Sequence, residues 1–166
     1  IETARIIGTE LTLSAGGTLG PIGLYLSGGY TYMDPVDPVM IDSVGRTDDE
    51  AYVLNYRRKH LLKGDMEAEI IGIVAGINVQ YYSRMINVDG AFIDPLLGEM
   101  LLPGFPGYWE EEAGDYLLLD LRLGYNISPA FRLNFLLKNT LNTEYLGRPG
   151  DIGPPRQITL QARITF

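Results

Sequence analysis

Residues 157–166 alternate without a fault. Gln157, Thr159, Gln161, Arg163 and Thr165 take one side, and Ile158, Leu160, Ala162, Ile164 and Phe166 take the other. A period of two puts each set on one face of a β-strand. The pattern recurs upstream. Residues 131–139 set Phe131, Leu133, Phe135 and Leu137 against Arg132, Asn134, Leu136 and Lys138. Residues 116–125 set Leu117, Leu119, Leu121, Leu123 and Tyr125 against Tyr116, Leu118, Asp120, Arg122 and Gly124. Residues 75–84 set Ile77, Val79 and Tyr81 against Asn78, Gln80, Tyr82 and Arg84. Residues 61–70 set Leu62, Met66, Ala68 and Ile70 against Lys63, Asp65, Glu67 and Glu69. Two less regular strands, at 3–14 and 22–33, bring the expected number to seven. The Leu-rich stretch 115–123 reads as strand, because Asp120 and Arg122 alternate with leucines and share no helical stripe.

The expected connections alternate in length. Short turns fall at 15–21, 71–74 and 126–130, the last marked by Ser128-Pro129. Longer links run over 34–59, 86–115 and 142–156. Short turns on one rim and long loops on the other describe an outer-membrane barrel, with periplasmic turns and extracellular loops.

Alternation alone also fits a soluble β-sandwich, which has one apolar and one polar face. Three features favour lipid. The polar face carries many charges. The strands are about ten residues long, the length of a tilted membrane strand rather than the usual 5–6. Aromatics recur near strand ends (Tyr30, Tyr32, Tyr81, Tyr82, Tyr125, Phe131, Tyr145 and Phe166), as interfacial girdles would place them. No membrane helix is expected: the longest uncharged apolar run, 70–79, is broken by Gly72, Gly76 and Asn78 and falls short of roughly 20 residues. A membrane protein with this sequence is a barrel, because only helices and closed barrels satisfy the backbone in lipid.

Composition narrows the function. The formal net charge of −8 leaves no basic stripe for phosphates, so no nucleic-acid partner is expected. With no cysteine there is no disulfide framework, thiolate metal site or Cys nucleophile. No nucleophile–base pair, phosphate loop or metal-ligand spacing occurs, so the protein is expected to be no enzyme and to need no cofactor or metal. Parity adds one expectation. A last strand ending at the periplasmic rim at Phe166 makes the first of seven start outside. Complete single-chain bacterial barrels have an even strand number, so seven strands predict part of a larger barrel.

Residues 137–145 read Leu-Lys-Asn-Thr-Leu-Asn-Thr-Glu-Tyr, an Asn-rich segment that resembles the one before the last strand of the TonB-dependent outer-membrane receptors. Arg148-Pro149-Gly150, Pro154-Pro155-Arg156 and a strand ending in Phe166 follow in the family's order. Ala4-Arg5-Ile6-Ile7-Gly8-Thr9-Glu10-Leu11, Gly29-Tyr30-Thr31-Tyr32 and Tyr81-Tyr82-Ser83-Arg84 are similar to strands further upstream. The resemblance implies an all-β, antiparallel transmembrane barrel of about 22 strands with a plugged lumen, of which residues 1–166 are the C-terminal part, without the plug domain. It implies import of a scarce nutrient (siderophore-iron, cobalamin or glycan) at the bacterial outer membrane. Implied partners are membrane lipid, the rest of the barrel and plug, the TonB complex through the plug, the outer-membrane assembly machinery and a surface lipoprotein. Two other readings stay open: a small autonomous outer-membrane barrel with a structural or adhesion role, and a soluble β-sandwich binding module.

The candidate lumen-lining residues are Lys63, Asp65, Glu67, Asp120, Arg122, Arg132, Lys138 and Arg163. Phe105, Tyr108 and Trp109 are loop candidates for ligand contact, beside Phe92, with packing on each other as the bland alternative. Phe166 is the expected assembly signal. His60, the single histidine, lies in a basic run with Arg57, Arg58 and Lys59, read as an exposed strand end whose cations can meet lipopolysaccharide phosphates. Clustered carboxylates, Glu110, Glu111, Glu112 and Asp115 in one loop and Asp34, Asp37, Asp42, Asp48 and Asp49 in another, read as solvated loops rather than Ca²⁺ sites. Arg148 and Arg156 are expected to pin the last loop on the barrel rim by ion pairs, with ligand contact as the alternative.

Overall fold

In the computed structural model, residues 3–46 and 50–166 are described, with the Val44 side chain left aside. Asp48 and Asp49 lie outside them. Seven antiparallel strands form one sheet in strict chain order: β1 (Arg5–Leu19), β2 (Ile22–Val36), β3 (His60–Ile70), β4 (Ile73–Tyr82), β5 (Tyr116–Ser128), β6 (Phe131–Lys138) and β9 (Gln157–Ile164). A two-stranded ribbon, β7 (Leu146–Arg148) with β8 (Asp151–Ile152), decorates the last loop. The seven strands are those the alternation predicts.

The turns are tighter than expected. Leu19 pairs with Ile22, so the first hairpin turns on Gly20-Pro21 alone and β1 runs five residues past its predicted end. Ile70 pairs with Ile73 across Ile71 and Gly72, both at positive φ, as a two-residue type I′ turn requires. The period of two fades in 15–19 because Gly16, Gly17 and Thr18 break the apolar count, although their backbone stays extended.

The long loops are not structureless. Between β2 and β3 lies α1 (Pro38–Val44), capped by the Asp37 carboxylate on the amides of Val39 and Met40. Between β4 and β5 lie three single-turn or two-turn helices, α2 (Gly90–Ile93), α3 (Leu97–Leu101) and α4 (Phe105–Glu111). None is long and apolar enough to cross a membrane.

The register threads whole rows across the sheet. One runs Ala15, Leu26, Met66, Ile77, Leu121, Leu137 and Ile158; the next runs Gly17, Leu24, Ala68, Ala75, Leu123, Phe135 and Leu160. No polar side chain interrupts either row. No second sheet covers this face: Met66, Leu123 and Leu160 are exposed. A β-sandwich buries such a face, so that reading fails here. β1 and β9 do not pair with each other, so the seven strands form an open sheet. The buried clusters lie at the loop end of the sheet: Val36 at the end of β2 with Tyr52 and Val53 in one, and Met85, Val88 and Phe105 in the other.

Candidate functional site

The opposite face is polar, and its groups are wired across strands. Arg122 on β5 donates from both terminal nitrogens to the Asp65 carboxylate on β3, each at 2.8 Å, and from Nε to Glu67 at 3.2 Å. The intervening strand contributes Gly76, which stands between Glu67 and Arg122 in the register. Asn78 donates to Asp65 at 3.2 Å, Gln80 to Asn78 at 2.9 Å, and Tyr82 to Gln80 at 2.8 Å. The chain of side chains thus climbs from Glu67 toward the loops.

Asp120 lies on this face beside that network, but its carboxylate accepts the backbone N–H of Asn139 at 2.8 Å. Arg132 donates to Asn134, and Asn134 to Gln161. Arg132 and Arg163 stand directly opposite one another, and Lys138 opposite Gln157. Among the described residues, neither Arg132 nor Arg163 forms an ion pair, whereas Arg122 holds two carboxylates. Lys63 faces Gln80 on the same side and is exposed. All eight candidates named from alternation therefore share one face.

Above the polar face the helices of the β4–β5 loop form a small apolar cap. Phe105 is buried, with Phe92 edge-on at 6.3 Å and the Trp109 ring stacked at 6.0 Å. Tyr108 also stacks on Phe105, at 6.3 Å, and burial pushes its phenol above the ordinary value. The three loop aromatics thus pack on one another. Tyr108 and Trp109 stay half-buried and retain an outward edge.

Below the cap lies an aromatic stack that the sequence reading missed. Tyr82 stacks on Tyr116 at 4.8 Å, Tyr116 meets Tyr145 at 4.9 Å, and the Arg58 guanidinium sits 4.7 Å over Tyr116. Tyr82 and Tyr145 therefore leave the expected lipid girdle, because Tyr82 shares the polar face of Gln80. Tyr30, Tyr32 and Tyr81 keep to the apolar face at the loop end, and Tyr125 to the same face at the turn end. The expected basic run also disperses. Arg58 turns inward onto the carbonyls of Ser83 and Leu146, Lys59 pairs with Glu50, and His60 stays on the apolar face.

The carboxylates of the loops serve the chain itself. Asp34 pairs with Arg46 at 2.6 Å, and Asp37 caps α1. Asp115 accepts from the Tyr81 hydroxyl at 2.5 Å and the Arg84 amide at 2.6 Å, which hold its carboxyl below the usual range. No three metal-ligating side chains converge among the described residues. Glu110 and Glu111 close α4, with Glu112 just beyond.

The expected ion pairs of Arg148 and Arg156 do not form among the described residues. The last loop is held by amides instead. Asn139, buried, donates to the carbonyls of Thr143 and Pro154 and accepts the Thr143 N–H, at 2.9–3.1 Å. Asn142 accepts the backbone N–H of Arg156 at 2.9 Å. Both asparagines have positive φ. Phe166 stands fully exposed two residues past β9.

An open antiparallel sheet with one unbroken apolar face, one charged face and alternating short and long connections is a section of a transmembrane β-barrel wall. Solved structures agree. The chain is similar to the ferric-catecholate import receptor Fiu from K12 E. coli in its closed form, with a TM-score of 0.68 and 21% identity, over 98% of this chain and 21% of that one. It is similar to P. aeruginosa FpvA bound to a heterologous iron–pyoverdine complex, with a TM-score of 0.63 and 17% identity, over 97% of this chain and 19% of that one. Both are TonB-dependent receptors, and the fold is that of part of such a receptor's barrel, as the sequence resemblance implied. The chain spans about a fifth of the length of either receptor. No protein-family model matches the sequence, and no curated protein matches it.

Proposed function

We propose that the chain is a section of the wall of a TonB-dependent receptor in a Gram-negative outer membrane, and that this receptor imports an iron–siderophore complex. The observation that carries the reading is the two-faced seven-stranded sheet on a receptor-barrel fold. Lipid accounts for the uncovered apolar face, and a wet lumen accounts for the ion-paired face. The siderophore class is taken from the ferric-catecholate and pyoverdine receptors that share the fold.

On this reading Lys63, Asp65, Glu67, Asp120, Arg122, Arg132, Lys138 and Arg163 line the lumen. The outward edges of Tyr108 and Trp109 meet the ligand, with Phe105 as their support. Phe166 is read by the assembly machinery, and a plug domain and TonB act through the rest of the receptor.

The test is uptake. Deleting the gene of the parent receptor is expected to abolish uptake of radiolabelled iron from a catecholate or pyoverdine-type chelate. A protonophore should abolish it in the intact strain. Unchanged iron uptake from both chelates, with loss of cobalamin or glycan uptake instead, overturns the substrate class. A parent protein recovered in the soluble fraction overturns the barrel reading.

A further inference from the structure

Two arginines of the polar face lie over glycines, and only one of them finds a carboxylate. Arg122 on β5 crosses Gly76 on β4 and reaches Asp65 and Glu67 on β3. Arg132 on β6 leans over β5 in the same way: a Cβ on Gly124 would lie 2.8 Å from its Nη2. The register then differs. Glu67 is the partner of Gly76 on the strand beyond, whereas Val74 is the partner of Gly124. Arg132 donates from Nε to Asn134 at 2.8 Å, and its two terminal nitrogens have no partner among the described residues.

The other side of Arg132 offers no counter-charge either. Its direct partner on β9 is Arg163, which forms no ion pair among the described residues. Like charges directly opposite one another in a ladder are unfavourable, so the pair calls for an anion. The adjacent strands cannot supply it to Arg132, because Asn126 and Arg163 already hold the two facing positions. Nor can an acid two strands away be reached as Arg122 reaches Asp65, because Arg163 stands where the glycine would have to be. What remains is the space over the polar face. An open groove of about 260 Å³ runs there from Glu67 and Arg122 to Arg132, Asn134, Gln161 and Arg163. That is room for an incoming side chain, several times the roughly 30 Å³ of one water. Asn134 also donates to Gln161, so the amides beside the arginines are engaged with each other and hold Arg132 with its terminal nitrogens free. Two such nitrogens match the two oxygens of a carboxylate.

We propose that Arg132 and Arg163 together hold an acidic side chain, Asp or Glu, of the segment that fills the lumen, which on the receptor reading is the plug domain. Two observations favour the receptor's own carboxylate over an imported chelate. The pair lies at the turn end of the sheet, beside Phe131 at the start of β6, and the aromatic cap lies at the loop end. The one arginine of this face that is paired, Arg122, is paired with carboxylates. The inference rests on the proposed receptor reading and adds to it a specific contact between wall and plug.

The test uses the full-length receptor in detergent and a carbodiimide, which joins a lysine amine to a carboxylate in contact with it. Arg132→Lys and Arg163→Lys should each yield a cross-link to the same Asp- or Glu-bearing peptide of the plug, identified by mass spectrometry. Arg122→Lys should link to Asp65 or Glu67 and reports that the reagent enters the lumen. A second measurement needs no reagent. The double variant Arg132→Gln/Arg163→Gln should keep the heat-modifiable barrel and its affinity for the iron chelate, while chymotrypsin cuts the plug about threefold faster. Links to strand carboxylates alone overturn the contact, as does the absence of links at 132 and 163 when Arg122→Lys links. If Arg122→Lys does not link, the cutting rate decides, and a wild-type rate in the double variant overturns the contact. Weaker chelate binding with unchanged plug cutting assigns the pair to the ligand instead and overturns it too. A plug linked only elsewhere removes this contact and leaves the receptor reading intact. A parent protein without a plug removes both.

Discussion

Arg122 and Asp65 are joined by two parallel hydrogen bonds of 2.8 Å although a whole strand separates them. The guanidinium reaches across β4 only because Gly76 offers no side chain beneath it: a Cβ there would lie 2.4 Å from Nε. The bidentate geometry is the strongest form of this pair, and the partly buried setting limits screening by solvent. Gly76→Val should therefore displace Arg122 and destabilise the folded receptor by about 1–3 kcal/mol, the usual cost of overpacking. Arg122→Ala should cost a similar amount by itself. The double variant should cost clearly less than the sum, because both changes break one contact. Urea unfolding of the purified receptor, followed by heat-modifiable mobility, measures all three; additive costs would refute the crossing.

The row Ala15, Leu26, Met66, Ile77, Leu121, Leu137 and Ile158 places Leu121 among apolar neighbours on both sides. Leu121→Arg should cost roughly 2–4 kcal/mol if the row lies near the bilayer midplane. Single cysteines at 119, 121 and 123 in the parent receptor should react with lipid-soluble reagents, and those at 120 and 122 with water-soluble ones. Equal labelling of the two sets would remove the assignment of faces.

Asp115 ties β4 to the start of β5 through Tyr81 and the Arg84 amide. These donors favour its charged form, so its folded pKa lies below the unfolded value of about 3.9. The stabilisation is complete above the unfolded pKa and is lost as pH falls through the lower, folded one. Hydrogen exchange across the 86–114 loop should thus hold steady from neutral pH to about 4, with intrinsic rates corrected, and rise below that. In Asp115→Asn the acid-induced step should be absent. An unaltered step in that variant would assign it elsewhere.

The wall was legible in the sequence and the cap was not, for a physical reason. A strand between lipid and water obeys a strict period of two, so Leu121 and Arg122 declare their faces by position alone. The polar-face candidates all fell on one side on that basis. Phe105, Tyr108 and Trp109 obey no such period, because single-turn helices pack by shape. Tyr82 was misplaced because an aromatic near a strand end reads as a girdle residue, whereas its parity with Gln80 turns it onto Tyr116. Parity was the better signal. The ion pairs expected of Arg148 and Arg156 are absent among the described residues because charge pattern carries no trace of the positive φ at Asn139 and Asn142, whose amides hold the loop instead.

Asn139 and Asn142 carry what those arginines were expected to do. Each has positive φ, a conformation that asparagine tolerates better than most residues. Asn139 is buried, and its amide joins three backbone groups, the N–H and carbonyl of Thr143 and the carbonyl of Pro154. Its own N–H is bound by Asp120 on the neighbouring strand. The chain leaving β6 is thus fastened both to β5 and to the segment entering β9. Asn139→Ala strains the backbone and leaves three polar groups unpaired, at about 1–3 kcal/mol for each one that stays buried. Asn139→Gly relieves the strain and keeps the rest of the loss, so it should rank between alanine and wild type. Asn139→Asp keeps the acceptor for Thr143 and loses both donated bonds. For Asn142, glycine should cost little beyond the single bond to the Arg156 N–H. The order expected for folded receptor in the outer membrane is wild type, then Asn142→Gly, then Asn139→Gly, then Asn139→Ala. Proteolytic cutting within 142–156 should follow the reverse order. If Asn139→Ala matches wild type in both measurements, the loop is held by something other than these amides.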